Sequence, residues 1–471
     1  MTQFRIELTK NRNNKILLFI ASTVLAGSLA GIVVVNSLVA ILLTISFICF
    51  VILCKTPFSV ILVIFALAPF TGAVKVFFEV REIPLAFDII LVIATLHGFF
   101  QNLLDRETSI KEGIYQLPVV SPLILIFLLV GLLGILNPTV PNLKFGLEGF
   151  RLSVFYFIAF FAAWFLCNSK DDVLNLAKTL MLISLFVALY GIFQFFNPSP
   201  AEVAYFEDKI WGGQMQAFST MIGNVHFAMF MVLAGLGAIS FSVNNYKIER
   251  VPYKIIIFLT IVGLLFSLSR ASWLAMFLGI ITILFFSAKR MKFASFLKTM
   301  TLFSALVLLI LVAMRNLDVI QKRILTLANP YDSALLTRLQ IWPDLIDRIN
   351  LFGYGIGVAG FNQYVNIPGL GVLWADNQFI KVALEMGYLG LFLFCLILVL
   401  IVIKGFRLST SLEEQSLRAA AIWITAFSIG IIFKMLTGQV LEAYPINMYF
   451  CFLAGVLYKL EYIEEKWLTQ K

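Results

Sequence analysis

Long apolar runs separated by short polar segments fill this sequence. A helix needs about 20 apolar residues to cross the hydrocarbon region of a membrane. The runs predict fourteen such spans, at 16–33, 36–54, 57–77, 85–103, 116–136, 148–167, 174–196, 218–241, 253–269, 271–288, 296–314, 377–403, 418–437 and 443–460. The first two runs are nearly continuous, and the polar patch from Ser267 to Arg270 divides two others. The pattern therefore predicts a bundle of about 12–14 membrane helices.

The composition agrees with this pattern. The chain is 61% hydrophobic and 13% charged, and its mean hydropathy is +0.97. Soluble domains are about 45–50% apolar and about 25% charged. Because backbone that faces lipid must satisfy its hydrogen bonds within one segment, the spans must be helices. We therefore predict an all-α polytopic membrane protein in which residues 1–471 form a single integral membrane domain.

The positions of Lys and Arg predict the orientation. With the N-terminus in the cytoplasm, the inner segments collect 22 of the 35 basic residues and the outer segments collect 13. This bias follows the positive-inside rule and predicts a multi-pass membrane protein with both termini cytoplasmic. The outer basic residues oppose that rule. Five of them lie in one long extracytoplasmic loop, 315–376, and these are Arg315, Lys322, Arg323, Arg338 and Arg348.

Part of this loop has the apolar spacing of a short amphipathic helix. Apolar residues recur at helical intervals between 336 and 349, namely Ile341, Leu345 and Ile349, with Trp342 and Ile346 beside them. The spacing predicts a helix that lies on the outer surface of the bundle. Because proline is tolerated near a helix start, Pro343 places the regular part near Ile341, with Arg338 just before it. Gly353 to Gly357 then predicts a flexible turn back to the membrane.

The loop ends at Asp376, immediately before a long apolar span. One interpretation is an N-cap, because aspartate stabilises a helix N-terminus. The other is a carboxylate that removes a proton from a sugar hydroxyl. Lys381 and Glu385 follow at i and i+4, and they predict an ion pair inside the bundle, since charges within a membrane rarely face lipid. A direct role of Glu385 at the substrate is the alternative.

Arg270 is the second candidate for chemistry at an outer helix end. It could extend to the lipid headgroups, or it could point into a cavity between closely packed helices. A guanidinium binds phosphate through two parallel hydrogen bonds. Arg270 and Arg338 together therefore suggest a diphosphate clamp. The sequence carries no phosphate-binding loop for a nucleotide, so the energy for a transfer must be stored in the substrate, for example in a lipid-diphosphate leaving group.

The remaining polar residues predict no metal ion and no cofactor. The five cysteines lie in or at the ends of apolar spans without a Cys-x-x-Cys pair, and His97 and His226 are far apart. The net charge of +9 is explained by the cytoplasmic segments, whose natural partners are anionic lipid headgroups of the bilayer. We therefore expect no nucleic acid partner.

A series of short motifs resembles the O-antigen ligase and polymerase family. In chain order they are Ser-Arg-Ala at 269–271, Thr-Arg-x-x-x-Trp at 337–342, Gly-Tyr-Gly-x-Gly at 353–357, and Asp-Asn-x-Phe-Ile followed by Glu-x-Gly-x-x-Gly at 376–390. Upstream, Phe-Ser-Thr at 218–220 and Gly-Asn-x-His at 223–226 resemble another family segment. Each motif is weak alone. Their order, with the long loop before the last three spans, makes the set fairly specific.

The resemblance implies a GT-C-like membrane glycosyltransferase that inverts the anomeric centre without a metal ion. It implies an undecaprenyl-diphosphate-linked glycan as donor and another lipid-linked glycan, or lipid A-core, as acceptor. It also implies a location in the bacterial inner membrane, with the reaction on its outer face. It is also compatible with a chain-length regulator and a flippase as protein partners. Carried over by position, Arg270 and Arg338 would bind the diphosphate, and Asp376 takes the place of the ligase's catalytic histidine. The candidate substrate-binding residues are Arg323, Trp342, Asn377, Asn224, His226 and Glu385.

The sequence also departs from the family pattern. Ligases usually have His-Asn where this chain has Asp376 and Asn377, which favours a polymerase of O-antigen or exopolysaccharide over a ligase. The family often has an arginine where Gln214 and Gln216 stand, which leaves the charge of the donor site open. A transporter or flippase remains an alternative of another class. Convergence of the arginines and the aspartate in an outward-facing cavity would favour an enzyme, and a polar path through the midplane would favour transport.

Overall fold

The structure is a computed structural model. It describes residues 57–79, 83–104, 117–206, 210–211, 214–288, 333–360, 366–367, 371–373 and 375–470. The predicted spans 16–33, 36–54 and 296–314 lie outside the described residues. The α-helices of the described residues are α1 (Pro57–Leu67), α2 (Thr71–Phe78), α3 (Ile83–Leu104), α4 (Ser121–Gly134), α5 (Leu143–Ser153), α6 (Ile158–Leu166), α7 (Lys170–Phe196), α8 (Pro200–Tyr205), α9 (Asn224–Val243), α10 (Tyr253–Phe266), α11 (Arg270–Ala288), α12 (Ser333–Asp347), α13 (Gln378–Ser411), α14 (Gln415–Met435) and α15 (Ile446–Thr469).

Many of these helices have the length and the apolar composition of membrane spans. In the described part of the chain, the segments that meet both criteria are Phe58–Phe78, Ile83–Asn102, Lys170–Phe196, Asn224–Val243, Arg270–Ala288, Gln378–Ser411 and Gln415–Met435. α4 and α10 are shorter apolar helices. The chain is therefore a helical, polytopic membrane protein, which confirms the fold class that the hydropathy pattern predicts. The predicted break between two spans is also confirmed, because α10 ends at Phe266 and α11 begins at Arg270.

One predicted span, 148–167, is broken in two. α5 and the helical segment Phe155–Leu166 meet at an angle of 44°. The break is at Val154, whose ψ of −37° comes with a φ of −125°, outside the helical region. Ser153 stands just before the break, and its hydroxyl donates a hydrogen bond to Glu442 in a later part of the chain. Hydropathy alone does not show this bend, because the two helices taken together have the length and the apolar composition of one span.

Hydrogen bonds between helices show how the core helices run relative to one another. Asn224 donates to the carbonyl of Ser267, and Asn244 donates to the hydroxyl of Ser287, so α9 and α11 run parallel. Ser240 donates to the carbonyl of Ala419, and the indole of Trp423 donates to the carbonyl of Leu233. α14 therefore runs antiparallel to α9 and α11. We call the end of the bundle at which α14 finishes, and α11 and α13 begin, the outer end.

α13 contains a break that the loop before it repairs. Gly387 has φ 70° and ψ −173°, which interrupts the helix after its first two turns. The amides of Tyr354 and Gly355 donate to the carbonyls of Leu384 and Glu385. The amide of Tyr388 donates in turn to the carbonyl of Asn350. Because a helix break leaves backbone groups unpaired, this pairing explains how a discontinuous helix persists inside an apolar bundle.

The glycine-rich segment that we predict to be a flexible turn is thus held by the broken helix. Gly353 has a φ of +76°, and a Cβ built there would stand 2.3 Å from the carbonyl oxygen of Glu385. A Cβ on Gly387 would stand 2.1 Å from the carbonyl oxygen of Leu351. Only glycine permits this approach of the two backbones. The two glycine motifs of the sequence are therefore the two sides of one contact.

Strand structure is limited to two short antiparallel pairs in the described residues. β1 (Ile210–Trp211) pairs with β2 (Gln214–Met215), and β3 (Asn366–Ile367) pairs with β4 (Gly371–Val372). The second pair lies in the loop between α12 and α13. Each pair closes a hairpin at the outer end and adds no sheet to the helical core.

Charged side chains join the helices at the opposite, inner end. Glu414 caps α14 by accepting from the amides of Ser416 and Leu417, and it also pairs with Lys170 at the start of α7. Glu461 of α15 accepts from both Lys404 and Arg407. These contacts tie the inner ends of α7, α13, α14 and α15 together.

Candidate active site

Arg338 and Asp376 meet at the outer end, and their ion pair is the centre of the candidate site. Arg338 donates from Nε and from Nη2 to a single carboxylate oxygen, Oδ2 of Asp376, with a distance of 2.9 Å for Nε. Nη2 also lies 3.5 Å from the backbone oxygen of Thr437. The side chains of Arg338 and Asp376 are 25% and 30% exposed. The pair therefore lies at an opening of the bundle, where a substrate can reach it.

Asp376 is available for this pairing because its neighbour caps the helix. The side-chain oxygen of Asn377 accepts from the amides of Phe379 and Ile380, so Asn377 is the N-cap of α13. The interpretation of Asp376 as the cap is therefore wrong by one residue. The amide nitrogen of Asn377 donates to the carbonyl of Leu436 at 3.1 Å. Asn377, a predicted substrate-binding residue, thus has its side-chain oxygen and one of its two side-chain N–H donors occupied by the protein.

Both charged partners retain free hydrogen-bonding positions. Both bonds from Arg338 reach Oδ2 of Asp376, and Oδ1 has no hydrogen-bond partner in the described residues. Nη1 of Arg338 is likewise without a partner there. A carboxylate oxygen can accept a hydrogen bond from a hydroxyl, and a guanidinium nitrogen can donate to a phosphate. Each partner can therefore bind a substrate group while the ion pair stays intact.

α12 presents Arg338 differently from the sequence prediction. The helix begins at Ser333, not near Ile341, and Pro343 lies inside it. Arg338 is therefore part of the helix. The buried face of α12 also differs from the predicted one, since Leu345 is 2% exposed whereas Ile341 is 38% exposed.

The indole of Trp342 lies one turn beyond Arg338. Trp342 packs with Leu345 against the segment 358–359 and the start of α13. Its Nε1 is buried and has no hydrogen-bond partner in the described residues. Because an indole N–H normally finds a partner when it is buried, Trp342 remains a candidate donor to a substrate.

Lys434 is a site residue that the motif analysis does not identify. It lies at the end of α14, and its ammonium donates a 3.4 Å bond to the carbonyl of Thr437. The same carbonyl is approached by Nη2 of Arg338. A Cβ built on Gly438 would stand 2.9 Å from Nζ of Lys434 and 3.5 Å from Oδ1 of Asp376. Arg338 and Lys434 therefore both lie near the carboxylate of Asp376, around the carbonyl of Thr437 and Gly438.

Glu385 belongs to a second, deeper cluster. Lys381 pairs with Glu385 at 3.0 Å, as the i, i+4 spacing predicts, and it also pairs with Glu442 from the segment after α14. Ser153 bonds to both Lys381 and Glu442. Glu385 accepts in addition from the amide of Ala359 at 3.1 Å. The predicted ion pair inside the bundle is thus confirmed, and the geometry favours it over the alternative of a direct substrate contact by Glu385.

Arg270 starts at the outer end as well. A Cβ on Gly430 of α14 would meet the carbonyl oxygen of Ala275 at 2.9 Å, so these residues mark equal heights on two antiparallel helices. Arg270 lies five residues before Ala275, and Lys434 lies four residues after Gly430. At 1.5 Å per residue, both cations are about 6–8 Å above this contact. Arg270 and Lys434 therefore lie at the same level of the bundle.

Asn224 and His226 begin α9 beside this arginine. Asn224 donates to the carbonyl of Ser267 and to the side chain of Gln216, which is one of the glutamines found where the family often has arginine. Nδ1 of His226 is buried without a hydrogen-bond partner in the described residues. The outer end thus gathers Arg270, Asn224 and His226. The predicted substrate-binding residue Arg323 lies outside the described residues.

Comparison with known proteins now adds an independent observation. Residues 255–395 match the family model described as O-antigen ligase. No curated protein and no solved structure matches the chain significantly. The match confirms the resemblance that the motifs predict, and it supports a membrane enzyme of the O-antigen ligase and polymerase type.

The O-antigen ligase segment contains most of the site. It extends from α10 to the outer half of α13, and it carries Arg270, Arg338 and Asp376. Lys434 and Glu442 come from the chain after this segment and complete its two charge clusters. Among the described residues, no group of three His, Cys, Asp or Glu side chains is arranged to hold a metal ion.

Proposed function

We propose that the protein polymerises oligosaccharide repeat units linked to undecaprenyl diphosphate, on the outer face of the bacterial inner membrane. The observation that carries this proposal is the Arg338–Asp376 pair at the outer end, where Oδ1 of Asp376 and Nη1 of Arg338 are without partners in the described residues. An anionic leaving group and a sugar hydroxyl are the two groups that such a pair can bind together. The product would be O-antigen or exopolysaccharide.

The transfer then uses the two charges in different ways. The acceptor hydroxyl oxygen attacks the anomeric carbon of the donor, and the bond from that carbon to the diphosphate oxygen breaks with its electron pair on the diphosphate. Asp376 orients the hydroxyl and receives its proton through Oδ1. Arg338 and Arg270 stabilise the charge that develops on the leaving diphosphate. No metal ion is required, and attack opposite the leaving group inverts the anomeric centre.

The residue at position 376 supports a polymerase over a ligase. By the resemblance, a ligase has histidine where this chain has Asp376. A ligase that transfers the glycan to lipid A-core is the alternative within the same family.

Analysis of the lipid-linked glycans in a strain without this gene tests the proposal. Loss of a polymerase leaves single repeat units on the lipid at the outer face. Loss of a ligase leaves full-length chains on the lipid instead. Repeat units retained on the cytoplasmic face would contradict both activities and would indicate a flippase. Complementation with the intact gene provides the control, because it restores the long chains.

A further inference from the structure

Lys434 is a buried cation that makes no direct ion pair in the described part of the chain, although the carboxylate of Asp376 lies beside the same glycine, Gly438. The residue is 5% exposed. Its ammonium makes a single long hydrogen bond, 3.4 Å to the carbonyl of Thr437, and it forms no salt bridge with any described carboxylate. Three donors on an ammonium normally find acceptors when they are buried. Lys434 is therefore poorly satisfied by the protein that surrounds it.

A second buried lysine shows that the fold can satisfy such a charge. Lys381 is fully buried and contacts Glu385, Glu442 and Ser153. Burial of a charge without a partner destabilises a protein strongly, whereas a paired charge is tolerated. An unpaired lysine at the outer end thus indicates a site built for an anion that the protein itself does not supply.

The position of Lys434 specifies where this anion binds. Nζ of Lys434 and Nη2 of Arg338 approach the same carbonyl oxygen, that of Thr437. Gly438 lies beside both Lys434 and Asp376, and any side chain there would stand close to Nζ and Oδ1. The site holds two cations and one carboxylate, so its net charge is positive. An anion placed over Gly438 lies against Nζ of Lys434, and the shared carbonyl of Thr437 places Arg338 next to the same position.

We propose that Lys434 binds a phosphate oxygen of the donor's diphosphate together with Arg338, and that the absence of a side chain at Gly438 leaves the space for it. This inference rests on the proposed function, since it names a further residue for the same leaving group. It assigns Oδ1 of Asp376 to the acceptor hydroxyl and the two cations to the donor. Lys434 lies outside the segment that matches the family.

Binding of inorganic pyrophosphate to the purified, full-length protein in detergent tests this role. Lys434→Met should weaken pyrophosphate binding about 10- to 100-fold, the effect of losing a charge-assisted hydrogen bond. Lys434→Arg should retain most of the affinity. Arg348→Met is the matched control, because Arg348 pairs with Asp344 elsewhere on α12 and should leave binding unchanged.

The melting temperature without ligand separates binding from structure. Lys434→Met should leave this temperature unchanged or raise it, because the substitution removes an unpaired buried charge. A large decrease would show that Lys434 is structural and would overturn the inference. Unchanged pyrophosphate affinity in Lys434→Met, or no binding by the unaltered protein, would overturn it equally. If Lys434-dependent binding is found while deletion of the gene leaves the glycans normal, the proposed polymerase fails and the anion site stands.

Discussion

Two charge clusters lie at the outer end of this bundle, and they differ in how completely their charges are paired. In the deeper cluster, Lys381 is fully buried between two carboxylates and a serine hydroxyl. In the shallower cluster, Arg338 and Asp376 are partly exposed, and Lys434 has no carboxylate partner among the described residues. In the first cluster every charged group has a group of opposite charge as its direct partner, whereas the second leaves a net positive charge and free hydrogen-bonding positions in the described part of the chain.

This difference separates a structural role from a chemical one. A buried charge network persists only when its members satisfy each other, and it then holds its helices in one arrangement. An incompletely satisfied cluster at an opening is suited to bind a charged substrate. Both clusters depend on the first two turns of α13, since Asp376 precedes this helix and Lys381 lies within it. The start of α13 therefore carries part of both clusters.

The largest expected effect is the loss of chain growth when the shallower cluster is altered. Asp376→Asn and Arg338→Met should each lower activity by about 100- to 10,000-fold, equivalent to about 3–5 kcal/mol, because each removes a group that acts on the reacting atoms. Polysaccharide length in a complemented deletion strain measures this loss. Melting temperatures should change little, since both side chains are partly exposed.

Arg348→Met provides the control for this prediction. Arg348 lies on the same helix as Arg338 and pairs with Asp344 at 2.7 Å. Its loss should leave chain length normal. Chains of normal length in Asp376→Asn would remove Asp376 from the mechanism, even if the protein is produced at its usual level.

The deeper cluster should respond in the opposite way, through stability. Lys381→Met removes the cation between Glu385 and Glu442 and leaves two buried carboxylates together. We expect a destabilisation of about 3–5 kcal/mol, typical of breaking a buried ion pair. The melting temperature of the purified protein in detergent measures it.

A lysine at the inner end is the matched comparison. Lys404 pairs with Glu461, and both side chains are partly exposed. Glu461 also pairs with Arg407, so it retains a cationic partner when Lys404 is replaced. Lys404→Met should therefore cost about 1 kcal/mol or less. Equal melting temperatures for Lys381→Met and Lys404→Met would show that the buried cluster has no special structural role.

The sequence predicts these two clusters to different degrees. Spacing identifies Lys381 and Glu385, because residues four apart share one face of a helix. It does not identify Glu442, which approaches from a later segment through the packing of helices. The sequence identifies Arg338 and Asp376 as candidate site residues because they are charged residues in the long outer loop. The pairing between them could not be predicted, since it depends on how α12 lies against α13.

The sequence alone identifies neither Lys434 as a site residue nor the break in α13. Lys434 is one of the outer basic residues that oppose the positive-inside rule, and this was the available signal, but it stands at the end of an apolar run without a motif. The glycines at 353 and 387 indicate unusual backbone, yet only the structure shows that they face each other. Hydropathy predicts how many helices cross a membrane and says little about where a helix is interrupted.

The third prediction tests the connection between the clusters at Gly387. An alanine there would adopt a φ of +70° with its Cβ 2.1 Å from the carbonyl of Leu351. We expect a loss of about 2–4 kcal/mol in stability from strain and from the broken contact with the loop. Limited proteolysis and melting temperature should both reveal a loosened loop.

Gly371→Ala separates the two causes. Gly371 also has a positive φ, +72°, but among the described residues a Cβ there meets nothing within 4 Å. Its substitution should cost only the backbone strain, about 1 kcal/mol. If both alanine variants lose the same stability, the close approach of Gly387 to the loop contributes nothing.

The smallest expected effect belongs to the inner end, where a single charge caps a helix. Partial burial alone would raise the pKa of Glu414, but hydrogen bonds from Lys170, Ser416 and the amide of Leu417 hold this pKa below its usual value. A carboxyl whose pKa is lowered on folding contributes stability above its unfolded pKa, about 4.3. That contribution is lost as the pH falls through the lowered pKa of the folded state.

Glu414→Gln should therefore destabilise the protein by about 1 kcal/mol at neutral pH, the usual effect of a lost cap. The difference in melting temperature between the variant and the unaltered protein should shrink as the pH is lowered from 7 towards 3.5. Chain growth at neutral pH should remain close to normal, because Glu414 lies at the end of the bundle opposite Asp376. A difference that stays constant with pH would mean that Glu414 stabilises α14 by packing rather than by its charge.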